Sequence, residues 1–303
     1  MANVIAVIWD FDKTLINGYM QDPIFKRYNV NGKDFWIDND KSIDNYLEKS
    51  VKVNKDTFYL NNFINQAKPA GKFEGLNNAI LRECGGELEF FPGVEEFFKE
   101  TKNMFQDDSK YSEYNIHVEH YIVSTGFAEE IRGSTIMEHV EGIWGCELIE
   151  SDFDGKKVIG EVGYTIDNTT KTRAIFEINK GINKGIPGID VNSKIPEEHR
   201  RVPFNQMIYI ADGPSDVPAF SVVNKGGGYT FAVYPKGDKE GLAQVEQLRA
   251  DGRVKMYSEA DYSSGTLANM LLKMKIQEIG DRIYHREREK LSSSISSSPK
   301  HII

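Results

Sequence analysis

Four stretches of the chain are apolar without interruption. They are Val4-Ile5-Ala6-Val7-Ile8-Trp9, His120-Tyr121-Ile122-Val123, Met207-Ile208-Tyr209-Ile210-Ala211 and Tyr229-Thr230-Phe231-Ala232-Val233. Each is short, rich in β-branched and aromatic residues, and lacks in/out alternation, which predicts strands buried on both faces. Glu147–Glu150 and Val158–Gly160 predict a short strand pair around the turn dipeptide Asp154-Gly155. Between these runs the apolar spacing becomes helical. Val94, Phe97 and Phe98 form a stripe behind Pro92, a residue suited to a first helical turn. Ile131 and Ile136 mark a helix after the second strand, and Lys171–Ile178 an amphipathic one stopped by Gly181. Leu267, Leu271, Met274 and Ile283 mark a final helix over about 266–290. Gly181–Pro203, rich in Gly, Pro and Lys, is expected to be a surface loop. Strands alternating with helices predict an α/β fold with a doubly wound, mostly parallel sheet.

One segment breaks the alternation. From about Gly18 to Gly86, polar and aromatic residues recur at helical spacing with few strand-like runs. The expected organisation is an α/β core of residues 1–15 and 90–290, an inserted helical domain of 16–89, and a disordered tail of 291–303 containing the run Ser292–Pro299. The aromatics Tyr19, Phe25, Tyr28 and Trp36 are expected mostly in the core of the insertion, with one or two facing a ligand. No internal repeat is evident.

Composition narrows the function. The 303 residues carry a net charge of −9, which argues against a nucleic-acid platform. Two cysteines, Cys84 and Cys146, are too few for a disulfide framework, and no Cys/His spacing suits zinc. The first apolar run is too short to span a membrane and has no basic leader, so a cytoplasmic protein without a membrane partner is expected. In that setting the sequon Asn168-Thr169-Thr170 has no consequence. His117 and His120 read as strand residues, Asp22 and Arg27 as surface residues near the hinge, with a contact to substrate as the alternative, and Arg286–Glu289 as a solvated helix face.

Three predicted strands end in polar residues: Asp10 and Asp12, Ser124, and Asp212. In open α/β sheets ligands bind beyond the strands' carboxyl ends. In extended chain Asp10 and Asp12 point the same way, and two such charges need a cation or a shared proton. Asp also favours turns, and alone the pair reads equally as one. Three polar ends on one sheet edge form a stronger signal, and phosphoryl transfer would use them all. Asp10 could attack phosphorus, Asp12 could act as general acid and base, and Ser124 with the N–H groups of Thr125 and Gly126 could hold phosphate oxygens. Asp10, Asp12 through its backbone carbonyl, Asp212 and Asp216 could hold Mg2+, the last directly or through a water. Lys171, opening a helix, is the preferred charge-balancing lysine, with Lys180 and Lys184 as rivals. Ser215 and Thr14 are expected to organise their loops.

This set resembles the haloacid-dehalogenase-like hydrolases over nearly the whole chain outside the tail. Asp10-Phe11-Asp12-Lys13-Thr14-Leu15 is similar to the first family motif, Ser124-Thr125-Gly126 to the second, Lys171 to the third and Asp212-Gly213-Pro214-Ser215-Asp216 to the fourth. Lys13 stands where glycine is commoner, and the 41 positions from Lys171 to Asp212 exceed the family's spacing, which implies an insertion near 181–203. The helical segment resembles the C1-type cap of phosphoserine-phosphatase-like members, and Phe91-Pro92-Gly93-Val94 their return into the core. The resemblance implies a Mg2+-dependent phosphatase acting on a small phosphorylated substrate through an aspartyl-phosphate. Asp12 favours this over a dehalogenase, whose halide leaving group needs no acid. A phosphotransferase or mutase remains an alternative. So does a non-catalytic binding protein of the same fold, although that reading predicts a lost motif carboxylate and all four are present.

Overall fold

The first strand, β1 (Val4–Trp9), is buried at every residue because both of its faces are covered. Ile5, Val7 and Trp9 enter one apolar core with Phe97, Phe98 and Tyr262, while Val4, Ala6 and Ile8 enter a second with Ala174, Ile175 and Phe220. Two cores, one on each side, explain an apolar run without alternation. In this computed structural model residues 3–182, 184 and 188–296 are described, with side chains to residue 293.

After β1 come α1 (Asp22–Arg27), α2 (Gly32–Glu48), α3 (Lys55–Ala67) and α4 (Asn78–Gly85), then α5 (Val94–Lys102) and α6 (Ser109–Ser112). The sheet resumes with β2 (His117–Phe127), α7 (Ala128–Gly133), β3 (Val140–Phe153) and β4 (Lys156–Tyr164). It continues through α8 (Lys171–Lys180), β5 (Met207–Ala211), α9 (Val217–Lys225), β6 (Tyr229–Tyr234), α10 (Lys239–Ala250), β7 (Met256–Glu259) and α11 (Leu267–Ser296). The spatial order is β4-β3-β2-β1-β5-β6-β7, parallel throughout except for the antiparallel β3–β4 pair. The chain winds outward from β1 through β2, then returns to β5 on β1's other side. The crevice beyond the carboxyl ends of β2, β1 and β5 is therefore the switch point where such folds bind ligands.

Two expectations need correction, and one strand lies outside what was expected. The strand pair expected to be short has 14 and 9 residues, because β3 first continues the parallel sheet beside β2 and only then turns into the hairpin. The edge strand β7 was not predictable from pattern, since Met256-Tyr257-Ser258-Glu259 is no apolar run and is only partly buried. The tail expected to be disordered from 291 is helical through Ser296. Ser292 Oγ donates to the Arg288 carbonyl at 3.0 Å and Ser293 Oγ to that of Lys290 at 2.9 Å, so these serines bond back onto the helix. Residues 297–303 lie outside those described.

The segment between β1 and α5 is helical because asparagines start it repeatedly. Asn31, Asn54 and Asn77 cap α2, α3 and α4 by accepting the N–H of Asp34, Thr57 and Ile80. Phe25, Phe35, Phe63 and Phe73 fill its centre, Phe63 stacking on Phe73 at 4.7 Å. Phe63 also meets Phe127 of β2 at 5.2 Å, so this core runs into that of the sheet. Of the four aromatics expected mostly in the core with one or two facing a ligand, Tyr19 is 47% exposed and lines a cleft.

A glycine seam joins the segment to the sheet layer. A methyl group on Gly85 of α4 would stand 1.9 Å from the Glu130 carbonyl oxygen of α7, and one on Gly133 1.8 Å from that of Arg82. Gly133→Ala is therefore expected to lower stability by about 1–3 kcal/mol, seen as a lower urea midpoint at constant slope. An unchanged midpoint would show that the seam gives way. Among the described residues no helix is long and apolar enough to cross a membrane.

Candidate active site

The chain leaves β1 with Asp10 N–H still bonded to the Ile210 carbonyl of β5 at 2.9 Å, then tightens into a turn. Lys13 takes the left-handed conformation (φ 56°), and Leu15 N–H returns to the Phe11 carbonyl at 2.8 Å. Asp10 thus stands at the strand's end, still paired to β5, and Asp12 lies in the turn that follows, at the switch point. Asp10 is buried. Its Oδ1 accepts from Lys171 Nζ at 2.7 Å and its Oδ2 faces the Thr14 hydroxyl at 3.5 Å. Asp12 Oδ1 accepts the Met20 N–H at 3.0 Å.

Lys171 is placed by a local device. Asp167 Oδ1 accepts the N–H groups of Thr169 and Thr170, forming the turn that starts α8. The Lys171 ammonium, with the residue only 1% exposed, then bridges Asp10 Oδ1 and Asp216 Oδ1, each at 2.7 Å. The rival lysines turn elsewhere. Lys180 donates to the Val191 and Ser193 carbonyls, and Lys184 pairs with Glu141.

Asp216 is buried within a short 3-10 turn, Pro214–Asp216, that leads into α9. Tyr209 donates to its Oδ1 at 2.6 Å and Ser215 to its Oδ2 at 2.8 Å. Asp10, Asp12, Lys13, Tyr19, Ser124, Thr125, Lys171, Asp212 and Ser215 together line a recess of about 190 Å³. Residues from five parts of the sequence thus converge on one sheet edge.

One carboxylate oxygen from each of Asp10, Asp212 and Asp216 lies within 4.8 Å of the others. An all-oxygen, anionic donor set of this kind fits a hard divalent cation such as Mg2+. The Asp12 carboxylate is not in this group. It is already oriented by Met20, which leaves it suited to proton transfer rather than ligation. Asp216 Oδ1 already accepts from Lys171 and Tyr209 and its Oδ2 from Ser215, an arrangement that fits either direct ligation or a place behind an ordered water.

The electrostatics follow from burial. It raises the Asp12 carboxyl, with help from Asp10, to about 8. It also raises Asp10 against the pull of Lys171, and raises Asp212 together with the charges of Asp10 and Asp216. Burial would lower Lys171, but Asp10 and Asp216 outweigh it and hold the amine charged. Beside this group Glu130 is wholly buried with neither oxygen paired, and burial and Asp12 hold its carboxyl well above the usual range.

A pH dependence follows. Unfolded, Asp12 would titrate near 4. Folded, it keeps its proton to about 8. The folded state therefore binds more protons in that window, and stability present at pH 4 is lost as pH rises through 8. Urea denaturation in chelator should show stability falling between about pH 5 and 8, with added Mg2+ flattening the fall. A rise over that range would contradict the assignment.

The second predicted motif is arranged partly as expected. Ser124 is buried at the recess wall and its Oγ accepts the Gly126 N–H at 3.0 Å, leaving its hydroxyl proton free to donate. Gly126 N–H is therefore taken, and Gly126 does not line the recess. Its missing side chain serves packing, since a methyl group there would stand 2.2 Å from Met20 Sδ. The Thr125 carbonyl accepts the Tyr59 hydroxyl of α3 at 2.6 Å, joining the helical segment to the recess. Tyr59 and Tyr209 carried no sequence signal, one hidden in a helical pattern and the other in a strand run.

No protein-family model matches the chain. An uncharacterized protein of Borreliella burgdorferi is 36% identical over 279 residues, 87% of this chain and 93% of its own. Among solved structures, a probable phosphoserine phosphatase from Vibrio cholerae aligns over 93% of this chain and 67% of its own, at 13% identity and a TM-score of 0.51. A HAD-family hydrolase from Salmonella enterica serovar Typhi aligns over 84% and 67%, at 12% identity and a TM-score of 0.50.

Proposed function

We propose that this chain, which belongs to the family of the Borreliella burgdorferi protein and has the haloacid-dehalogenase-like hydrolase fold, is a Mg2+-dependent phosphatase of small phosphomonoesters. One observation carries the reading: the buried Lys171 ammonium bridges Asp10 and Asp216 beside Asp12 at the sheet's switch point. A buried cation clamped between two acids fixes a nucleophile and leaves net negative charge for a metal to balance.

In this reading Asp10 attacks phosphorus and forms an aspartyl-phosphate. Asp12, protonated near neutrality, gives its proton to the leaving alkoxide and then takes one from the water that hydrolyses the intermediate. Ser124 donates its hydroxyl proton to a phosphate oxygen, and Lys171 offsets charge while holding Asp10 in place. Mg2+, held by Asp10, the Asp12 carbonyl and Asp212 with Asp216 behind them, would neutralise phosphate charge. Residues 16–89 act as a cap that excludes water, joined to the site by Tyr59 and Thr125. A cytoplasmic location suits this reading.

The test is phosphate release from a panel of phosphomonoesters with Mg2+, with chelator, and with Mg2+ restored. Turnover should fall to background on chelation and return on readdition. Turnover indifferent to chelator removes the metal, and no turnover of any ester removes the phosphatase. Adding acceptor alcohols identifies a phosphotransferase by a new phosphoester product.

A further inference from the structure

A second, larger cavity opens from the catalytic recess. It measures about 470 Å³ and is lined by Gln21, Trp36, Asn39, Asp40, Lys55 and Asp56 besides Asp12, Tyr19, Tyr59 and Thr125. Asp12, Tyr19 and Thr125 belong to both spaces, so a phosphate seated by Ser124 and Lys171 directs its alcohol half into this one. A serine-sized group would leave most of it as water.

The lining says what fills it. Gln21 is 4% exposed, yet its side-chain amide makes no hydrogen bond, not even as the cap of α1. Asn39 is 3% exposed; its Oδ1 accepts from Asn62 at 3.2 Å, while its amide N–H groups have no acceptor among the described residues. These amide atoms are not sealed within the protein, so they face the cavity's water, which the polar edge of a ligand would replace. Trp36 meets Phe25, Phe35 and Tyr59 edge-on or tilted, with interplanar angles of 90°, 79° and 59°, so no ring is stacked on its face. Its indole N–H also has no acceptor among the described residues. Asp56 makes no side-chain hydrogen bond or ion pair there either, and is positioned to accept from hydroxyl or amino groups.

Resting on the phosphatase reading, we propose that this cavity selects phosphomonoesters of nucleoside size, with a nitrogen heterocycle stacked on Trp36 and its polar edge met by Gln21 and Asn39. Amides reading a heterocycle's edge and an aromatic face receiving its plane are the usual means of holding an unstacked base. A small alcohol bearing only an ammonium would use the carboxylates and rings but leave both amides unmet.

The experiment compares kcat/KM for purine and pyrimidine nucleoside 5′-monophosphates with glycerol phosphate, phosphoethanolamine and phosphocholine, in the parent and in Trp36→Ala and Gln21→Leu. The parent should prefer at least one nucleotide, and each substitution should cut the ratio of nucleotide to glycerol phosphate by ~10-fold. Equal handling of all esters, preference for an ammonium ester, or a ratio that neither variant moves overturns the inference. Calorimetric binding to Asp10→Asn separates the two readings. Nucleotide binding tighter than glycerol phosphate, in a protein whose parent hydrolyses nothing, keeps this inference and discards the phosphatase. Binding no tighter than glycerol phosphate discards the inference.

Discussion

Asp10→Asn is expected to lose turnover by about 10⁴-fold or more, within the range seen when other hydrolases lose their nucleophile. The amide occupies the same space but cannot form an acyl phosphate. The fold should not suffer. Lys171 keeps Asp216 at 2.7 Å, and one of several mutually repelling buried acids becomes neutral. Thermal unfolding in chelator should therefore give a midpoint at or above the parent's. Phosphate release measured under Mg2+ saturation decides the assignment, and parental turnover in this variant would end it.

Lys171→Met is expected to damage both stability and activity. The ammonium is the buried counter-charge of Asp10 and Asp216, and removing it strands two acids in the interior. Breaking a buried pair from one side costs about 3–5 kcal/mol, or a fall in Tm on the order of 10 °C. Turnover should fall as well, because Asp10 loses its orientation. Mg2+ should restore part of the stability, since another cation then sits among the same carboxylates, but should not restore turnover. Scanning calorimetry with and without Mg2+ reads this directly. A variant as stable as the parent in chelator would mean the acids are protonated together and need no lysine.

The sheet was legible because its strands are buried on both sides. Val4–Trp9 and Met207–Ala211 can afford no polar residue until they reach the edge, so Asp10 and Asp212 stand out where the run stops. The convergence of Asp10, Asp12, Ser124 and Asp212 followed from topology alone, whereas Lys171 was preferred for the apolar helical stripe that follows it. Other features depend on contacts between distant residues. Choosing Lys171 over Lys180 required knowing which lysine side chain turns inward from α8. Tyr209 serves Asp216 from inside a strand, where a tyrosine reads as one more core residue. Gln21 and Asn39 look like ordinary surface amides until the fold buries them. The half-buried β7 and the serine-rich end of α11 escaped because hydrophobic pattern does not mark them.

The contact between Gly85 and Gly133 has a mechanical consequence. With two backbones touching there, and Ile159 of β4 bonded to the Leu76 carbonyl at 2.9 Å nearby, α4 is clamped to the body of the molecule at its root. Because α3 is also tied down, by Tyr59 to the Thr125 carbonyl and by Phe63 against Phe127, an opening that admits substrate would flex in α1 and α2 rather than swing the whole segment. Gln21 precedes α1, and Trp36 and Asn39 lie on α2, so under the proposed reading the part free to move would also be the part that reads the ligand.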